Sequence, residues 1–302
     1  MDHNRPDDWS EYVGQTRLKT RFQSLIDVAN EVPEPLVHTL LVGPPGVGKS
    51  TLALLAAKAL DEELRMFVMP IGPTVLSAIV KTVQGILFCD EIHRLPVKQQ
   101  EDLLPLLEDG YLQLKTGVKL HNNWLTIIGA TTEPESIIPP LYDRFTFKPM
   151  FDPYTPDEMR EMVSRMGTRR EIDLPDELVE GIADAAAGIP RNARHLVDAA
   201  RSLILTGKEL SLNDVLAITG VTEDGLTDMH IEYLKVINSL GGKTGLSNLC
   251  TLLRLHPKVV QDLERLLIER GFITFTASGR ELTMDGMKIV QPVMKRQKKI
   301  IS

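Results

Sequence analysis

The spacing of hydrophobic and polar residues divides the chain into three regions. Up to about residue 151, apolar runs of strand length at 40–42, 66–69, 86–89 and 125–128 are separated by stretches with helical periodicity. This alternation predicts a mainly parallel sheet with helices, the α/β class. We therefore expect a first domain over residues 1–151.

Strand patterns stop after residue 152. Residues 155–219 have the spacing of several helices, and Pro156 stands where the first turn of one of them is expected. This region predicts a small helical domain over residues 152–221. Residues 222–227 are mostly polar, contain a glycine and have the composition of a linker.

The last region, residues 222–302, predicts a winged helix-turn-helix. Helical stretches at 229–240, 246–253 and 259–270 are followed by two short strands at 271–275 and 281–283. Three helices followed by a hairpin are typical of this motif. A winged helix binds either nucleic acid or protein, and we favour nucleic acid.

The composition predicts a complete globular protein of two or three domains. The chain has 302 residues, of which 43% are hydrophobic. It has no apolar run of about 18 residues and no apolar stretch at its start, so we expect a cytoplasmic protein without membrane contact. Its two cysteines, Cys89 and Cys250, are expected to be reduced core residues.

Charge is distributed unevenly along the chain, whose net charge is -7. Residues 1–221 carry 22 Lys and Arg against 32 Asp and Glu, whereas residues 222–302 carry 12 against 9. Because basic residues outnumber acidic ones only in the C-terminal region, we expect any contact with a polyanion to lie there. The alternative is a solvated basic tail, because Lys295, Arg296, Lys298 and Lys299 supply a third of those cations.

Residues 43–50, GPPGVGKS, match the phosphate-binding loop pattern and stand between an apolar run and a helical stretch. Glycines let the backbone wrap around phosphate oxygens, and a helix N-terminus favours an anion. Lys49 is expected to reach the β- and γ-phosphates of a nucleotide, and Ser50 to bind Mg²⁺. A plain glycine turn would not explain this Lys-Ser pair. The predicted nucleotide-binding residues here are Gly43, Gly46, Val47, Gly48, Lys49, Ser50 and Thr51.

Two adjacent acids, Asp90 and Glu91, follow the apolar run at 86–89. In an open α/β sheet the carboxyl ends of the strands line the ligand crevice. Asp90 is therefore expected to hold Mg²⁺, and Glu91 to orient and polarise the attacking water. A solvated acidic turn would be the usual interpretation of such a pair without the loop at 43–50.

Further polar residues belong to the predicted site. Thr131 and Thr132 end another apolar run, and a hydroxyl there is expected to position the water or to contact the γ-phosphate. The alternative is a hydroxyl that only terminates a strand. Arg144 and Arg191 are further candidates, although each, taken alone, has the sequence context of an ordinary surface arginine.

Together these segments resemble the RuvB family of Holliday-junction branch-migration motors, which are AAA+ ATPases. The matching segments are Arg5-Pro6, EYVGQ (11–15), GPPGVGKST (43–51), DEIHRL (90–95), LLEDG (106–110), IGATTEPESIIPPLYDRF (128–145), GIPRNARHL (188–196), ERGFI (269–273) and Gly279-Arg280 with Thr283. The resemblance covers about residues 5–285. It implies an AAA+ P-loop domain with a parallel sheet, a helical lid and a C-terminal winged-helix DNA-binding domain with a basic tail.

The resemblance also implies roles for individual residues. Arg5, Pro6, Tyr12 and Val13 would line the adenine pocket, Thr131 or Thr132 would be sensor 1, Arg191 would be sensor 2, and Arg144 would be an arginine finger in the neighbouring subunit's site. Such a finger contributes about 10³ to 10⁵ in rate in related phosphoryl transfers. The implied cofactors are ATP and Mg²⁺, and the implied assembly is a hexameric homo-oligomeric ring on duplex or four-way-junction DNA.

The chain departs from the family pattern in several places. The hairpin that such motors use to engage a RuvA-like junction-binding partner falls at about 111–119, where it is short and carries Lys115 and Lys119. Tyr142 and Ala277-Ser278 replace more basic residues, and the stretch before residue 86 is also short. These differences put the usual partner in doubt and leave the ATPase motifs intact.

The leading hypothesis is an ATP-dependent DNA translocase that drives Holliday-junction branch migration in recombination and repair. Arg254, His256, Lys258 and Arg280 are expected to contact phosphates without reading sequence. A second hypothesis is an ATP-gated DNA-binding switch, such as a replication initiator or a helicase or clamp loader. A third is a protein-remodelling ATPase whose basic C-terminal domain binds protein.

Overall fold

The computed structural model describes residues 5–32, 34–114, 116–208, 210–277 and 279–290. The chain divides into two compact units. The first contains residues 1–162 and 189–191, and the second contains residues 163–188 and 192–302. The division into three domains expected from the sequence stays a prediction.

The first unit contains the predicted α/β fold. Its elements are α1 (Thr16–Glu31), β1 (Thr39–Val42), α2 (Lys49–Ala59), β2 (Glu63–Val68), α3 (Pro73–Thr82), β3 (Gly85–Asp90), a 3-10 helix (Ile92–Arg94), α4 (Val97–Asp109), β4 (Tyr111–Gln113), β5 (Lys119–His121), β6 (Leu125–Thr131), a 3-10 helix (Pro134–Ser136) and α5 (Pro139–Arg144). Strand β2 begins earlier than the apolar run at 66–69 suggested.

A parallel sheet with the order β1-β6-β3-β2 forms the centre of this unit. Strands β1 and β6 are buried along their whole length, and β3 is buried up to its last residue, which explains their continuous apolar sequences. Outside β1 the chain returns at residues 147–151, where Leu40 donates to the Phe147 carbonyl at 2.8 Å and Phe151 donates to the Val42 carbonyl at 2.9 Å. The carboxyl ends of β1, β6 and β3 therefore lie side by side at one edge.

Strands β4 and β5 form the hairpin predicted near residues 111–119. Tyr111 pairs with His121, and the ammonium of Lys119 lies 4.0 Å from the centroid of the Tyr111 ring. The expected contribution of Lys115 lies outside the described residues. The described side chains of this hairpin thus combine aromatic and polar groups.

Helices continue from residue 156 to residue 219, as the sequence predicts. They are α6 (Pro156–Arg169), α7 (Asp176–Ala185), α8 (Pro190–Leu205) and α9 (Leu212–Thr219). Residues 222–227 form a hydrogen-bonded turn, in which Thr222 donates to the Leu226 carbonyl at 2.9 Å. Leu226 is fully buried, so this segment is packed more tightly than its polar composition suggests. Its single apolar side chain anchors the turn in a hydrophobic core.

The winged helix follows this turn. Its elements are α10 (Asp228–Ser239), β7 (Lys243–Thr244), α11 (Leu246–Leu253), α12 (Pro257–Glu269), β8 (Ile273–Thr276) and β9 (Gly279–Leu282). The strands form an antiparallel sheet with the order β7-β9-β8, of which the sequence predicted only the hairpin. Tyr233, Leu249, Val260 and Leu267 are fully buried in the core beneath it. Among the described residues, no helix is both long and apolar enough to cross a membrane.

Candidate nucleotide site

The loop after β1 has the backbone shape of a phosphate cradle. Gly46 and Gly48 have φ angles of 83° and 107°, a region open mainly to glycine. A Cβ at Gly46 would lie 2.8 Å from the Cβ of Arg191, whose N–H donates to the Gly46 carbonyl at 3.3 Å. The Nζ of Lys49 donates to the carbonyls of Gly43 at 2.7 Å and Pro44 at 2.9 Å. Lys49 is thus held inside the loop at the start of α2.

The two acids lie at the same sheet edge as this loop. Cys89 of β3 is level with Gly129 of β6, and the N–H of Gly43 donates to the Thr131 carbonyl at 3.1 Å. Burial lowers the pKa of Lys49, while the carboxylates of Glu91 and Asp90 oppose this shift. Burial and the neighbouring Glu91 raise the pKa of Asp90. A cation and two acids therefore share one partly desolvated site.

Polar side chains at the end of β6 surround the Glu91 carboxylate. The Thr132 hydroxyl donates to Oε2 of Glu91 at 3.1 Å. Nδ1 of His93 lies 3.2 Å from the same oxygen and 2.9 Å from Oγ1 of Thr131. The sequence suggested both threonines but gave no role to His93, although it stands two residues after Glu91.

Two buried tyrosines pack beneath the phosphate-binding loop. A Cβ at Gly48 would lie 3.2 Å from the Tyr12 hydroxyl, and the Tyr154 hydroxyl donates to the Val47 carbonyl at 2.9 Å. Burial raises the pKa of Tyr12 well above its usual value and that of Tyr154 to about 12, so both stay neutral. Tyr154 was missed because its only apparent signal was the end of the strand-rich region. The other residues predicted for the adenine pocket, Arg5, Pro6 and Val13, are half-buried.

Arg144, at the end of α5, contacts α4. Its Nη2 and Nε lie 2.5 Å and 2.9 Å from Oε2 of Glu108, and its Nη1 donates to the Pro140 carbonyl at 2.8 Å. Glu108 is more than half exposed. Exposed ion pairs contribute only about 0 to 1 kcal/mol, so this arginine can exchange Glu108 for another anion at little cost.

Two family models match this chain. Residues 4–150 match the family model described as the Holliday junction DNA helicase RuvB P-loop domain, and residues 223–291 match the RuvB C-terminal winged helix domain. The Holliday junction branch migration complex subunit RuvB of Kosmotoga olearia is 34% identical over 92% of this chain and 87% of its own length. The corresponding subunit of Nitratiruptor sp. is 31% identical over 95% of this chain and 91% of its own length. The chain belongs to the RuvB family.

Solved structures support this assignment. The Thermotoga maritima RuvB Holliday junction branch migration motor superposes with a TM-score of 0.83 at 28% identity, covering 95% of this chain and 98% of that one. A point mutant of the same Thermotoga maritima protein gives a TM-score of 0.84 over 94% of this chain and 97% of that one. The AAA+ P-loop fold and winged helix of the RuvB family are therefore confirmed for this chain.

The winged helix of this RuvB family member presents only some of the predicted cations. Arg254 is exposed at the end of α11, and Nδ1 of His256 accepts the Lys258 N–H at 3.3 Å, which caps α12. The Lys258 ammonium lies 3.9 Å from Asp262. Arg265, which the sequence analysis did not single out, is also exposed on α12.

Arg280 is placed differently from the expectation. Its guanidinium donates to both carboxylate oxygens of Glu264, at 2.8 Å and 3.1 Å. The Tyr233 hydroxyl donates to the same carboxylate at 2.9 Å, and Glu264 is almost fully buried. This hydrogen bonding raises the pKa of Arg280. The Arg280 guanidinium is therefore already occupied by a buried carboxylate.

Proposed function

We propose that this RuvB family member is an ATP-driven motor that moves DNA and drives branch migration of Holliday junctions in recombination and repair. The observation that carries the proposal is the convergence of Lys49, Asp90 and Glu91 at one sheet edge, in a chain that also has the family's winged helix. Its alternative, an ATP-gated switch such as a helicase or clamp loader, uses the same fold with slow turnover.

Hydrolysis would use the groups that meet at this edge. The loop N–H groups and the N-terminus of α2 bind the phosphates, and Lys49 neutralises charge on the β- and γ-oxygens. Binding of phosphate would draw the Lys49 ammonium from the carbonyls of Gly43 and Pro44. Glu91 orients the attacking water and accepts its proton, and the Thr132 hydroxyl holds the Glu91 carboxylate in place.

The residues present fit a Mg²⁺ ion. Ser50 offers a hydroxyl and Asp90 a carboxylate, both hard oxygen ligands of the kind this cation prefers. The carboxyl of Asp90 is half-buried beside Glu91, so a bound cation would favour its ionised form. Mg²⁺ supplies charge neutralisation of the phosphates when bound.

Other predicted residues complete the proposed nucleotide site. Arg191 would contact the γ-phosphate as sensor 2, because its backbone is fixed against Gly46. Tyr12 would form one wall of the adenine pocket, together with Arg5, Pro6 and Val13. Arg144 would reach the site of the next subunit in a hexameric ring, which requires release from Glu108. Val47 and Thr51 would support the phosphates from the loop and from α2.

Contacts to duplex or junction DNA are proposed for the exposed cations of the winged helix. Arg254, Lys258 and Arg265, with His256 beside them, would meet phosphates, which gives affinity without sequence information. The proposed site of action is the cytoplasm, as predicted from the sequence.

The salt dependence of DNA affinity tests the proposed contact between the winged helix and DNA phosphates. We expect the double variant Arg254→Asn, Lys258→Gln to reduce the slope of log affinity against log salt by about 1 for each cation removed. Asn is chosen at Arg254 because φ is 56° there, a conformation that Asn tolerates. The measurement is fluorescence anisotropy on duplex and four-way-junction DNA.

The matched control removes two cations elsewhere in the same domain. Lys235, which is partly exposed, pairs with Glu232, and Lys288, which is exposed, pairs with Asp285. The variant Lys235→Gln, Lys288→Gln should keep the original slope. An equal reduction of the salt slope in both double variants would show that the surface with Arg254 and Lys258 is not the DNA contact.

The hairpin β4–β5 is the segment on which the family resemblance places a RuvA-like junction-binding partner. Its described side chains include Lys119 over Tyr111 and Val118, which is more than half exposed, so its surface is mixed rather than plainly apolar. We therefore propose that the chain engages junction DNA without depending on a RuvA-like protein bound to this hairpin.

A synthetic four-way junction tests the whole proposal with the protein alone. The expected result is strand exchange that requires ATP and is lost in Lys49→Ala, together with ATP turnover that rises when DNA is added. DNA binding that changes with ATP, without strand exchange or stimulated turnover, would instead support the switch.

A further inference from the structure

His93 occupies the segment that joins β3 to α4. Ile92, fully buried, and Leu95, nearly so, anchor this segment on either side, and Glu91 adopts a left-handed backbone with φ of 52°. The anchored turn directs His93 to the end of β6, where its side chain is only 11% exposed. Its ring is therefore fixed between the acid and the threonines of the site.

One ring nitrogen of His93 faces two partners. Nδ1 lies 2.9 Å from Oγ1 of Thr131 and 3.2 Å from Oε2 of Glu91. Oγ1 of Thr131 already accepts the N–H of Glu133 at 3.0 Å, which leaves its own proton free to be donated. The Thr131 hydroxyl can therefore donate to Nδ1 when that nitrogen carries a lone pair.

A neutral imidazole has one N–H and one nitrogen with an available lone pair. Nδ1 therefore either donates or accepts a hydrogen bond, but does not do both. With a lone pair, Nδ1 accepts from Thr131 and gives no hydrogen bond to Glu91. With a proton, Nδ1 donates to the Glu91 carboxylate. The exchange between these states moves the single N–H proton from Nε2 to Nδ1 through water.

We propose that His93 is a positioning residue that couples Thr131 to Glu91. When the Thr131 hydroxyl turns to a γ-phosphate oxygen, Nδ1 loses its donor and instead holds the Glu91 carboxylate in line with the attacking water. The carboxylate is then secured by two hydrogen bonds, from His93 and from Thr132. This inference rests on the proposed ATPase function and adds a residue to it.

Substitution at His93 tests the coupling because two amides place a polar atom at different points of the ring. Asn puts its terminal atoms near the position of Nδ1, whereas Gln puts them near Nε2. We expect His93→Ala to lower kcat for ATP about 10- to 100-fold, the effect of one hydrogen bond to a charged group. His93→Asn should recover most of this loss and His93→Gln little, with KM changed less than about 3-fold in all three.

A double-mutant cycle adds a second measurement. Glu91→Gln removes the carboxylate that His93 is proposed to hold, so its effect on kcat should not add to that of His93→Ala. The control His121→Ala, on β5, should keep full turnover. Melting temperatures of all variants show whether a loss comes from unfolding.

The outcomes distinguish a failure of this inference from a failure of the proposed ATPase function. No ATP turnover in the unaltered protein, or full turnover in Glu91→Gln, would overturn the proposed function. Turnover that depends on Glu91 but stays within about 2-fold in His93→Ala would overturn only the inference. Equal recovery by Asn and Gln, additive effects of His93→Ala and Glu91→Gln, or a change confined to KM would also overturn it.

Discussion

Glu91→Gln is expected to bind ATP with unchanged affinity and to hydrolyse it about 10² to 10⁴ times more slowly. The amide keeps the size of the side chain and can still accept from the Thr132 hydroxyl, but it cannot take a proton from water. Lys49 and the loop at residues 43–50 are unaltered, so nucleotide binding should persist. The measurements are steady-state turnover and the affinity for a fluorescent ATP analogue.

Glu101→Gln is the matched control. Glu101 is a half-exposed acid on α4 that pairs with Lys98, outside the candidate site. Its replacement should leave both turnover and affinity unchanged. Normal turnover in Glu91→Gln would remove Glu91 from the role proposed here, and loss of nucleotide affinity would show that the substitution disturbed the phosphate site.

Mixing Arg144→Ala with Lys49→Ala is expected to restore ATP hydrolysis that neither variant has alone. Loss of an arginine finger lowers turnover by about 10³ to 10⁵. In a ring, a subunit that carries the Arg144→Ala substitution keeps Lys49 and can receive Arg144 from a neighbour that lacks Lys49. Recovery therefore requires that Arg144 leaves Glu108 and crosses a subunit boundary.

The amount of recovery is also predicted. In rings assembled at random from equal amounts, about one quarter of the interfaces pair an intact Lys49 with an intact Arg144, whatever the ring size. Turnover near that fraction is expected if sites act independently. Mixed rings, verified by differently tagged subunits, that stay inactive would show that Arg144 does not act in trans.

Local pattern was sufficient to predict most elements of the fold. Buried strands such as β3 and β6 have continuous apolar sequences, and α11 (Leu246–Leu253) has the predicted bounds, because a short amphipathic helix is read directly from its periodicity. The sheet order β1-β6-β3-β2 could not be predicted in this way, since it depends on contacts between residues far apart in sequence. The packing of the turn at 222–227 could not be predicted either, because composition does not show that Leu226 is buried.

The residues of the candidate site also include some that the sequence predicted and some that it did not. Motif residues such as Lys49 and Glu91 were predicted because the chemistry requires their types at fixed spacing. His93 was missed because its partner Thr131 is 38 residues away on a neighbouring strand. Glu264 was missed for the same reason, and its contact changed the interpretation of Arg280.

The ion pair between Glu264 and Arg280 affects how a mutational survey of the winged helix must be interpreted. Removing one partner of a buried pair costs about 3 to 5 kcal/mol, which is a large share of the stability of a small domain. Arg280→Ala would therefore lower DNA binding by destabilising the domain, even if its guanidinium never meets a phosphate. Replacing both partners with apolar residues of similar volume would remove the same cation without stranding a buried carboxylate, and would show whether position 280 contacts DNA at all.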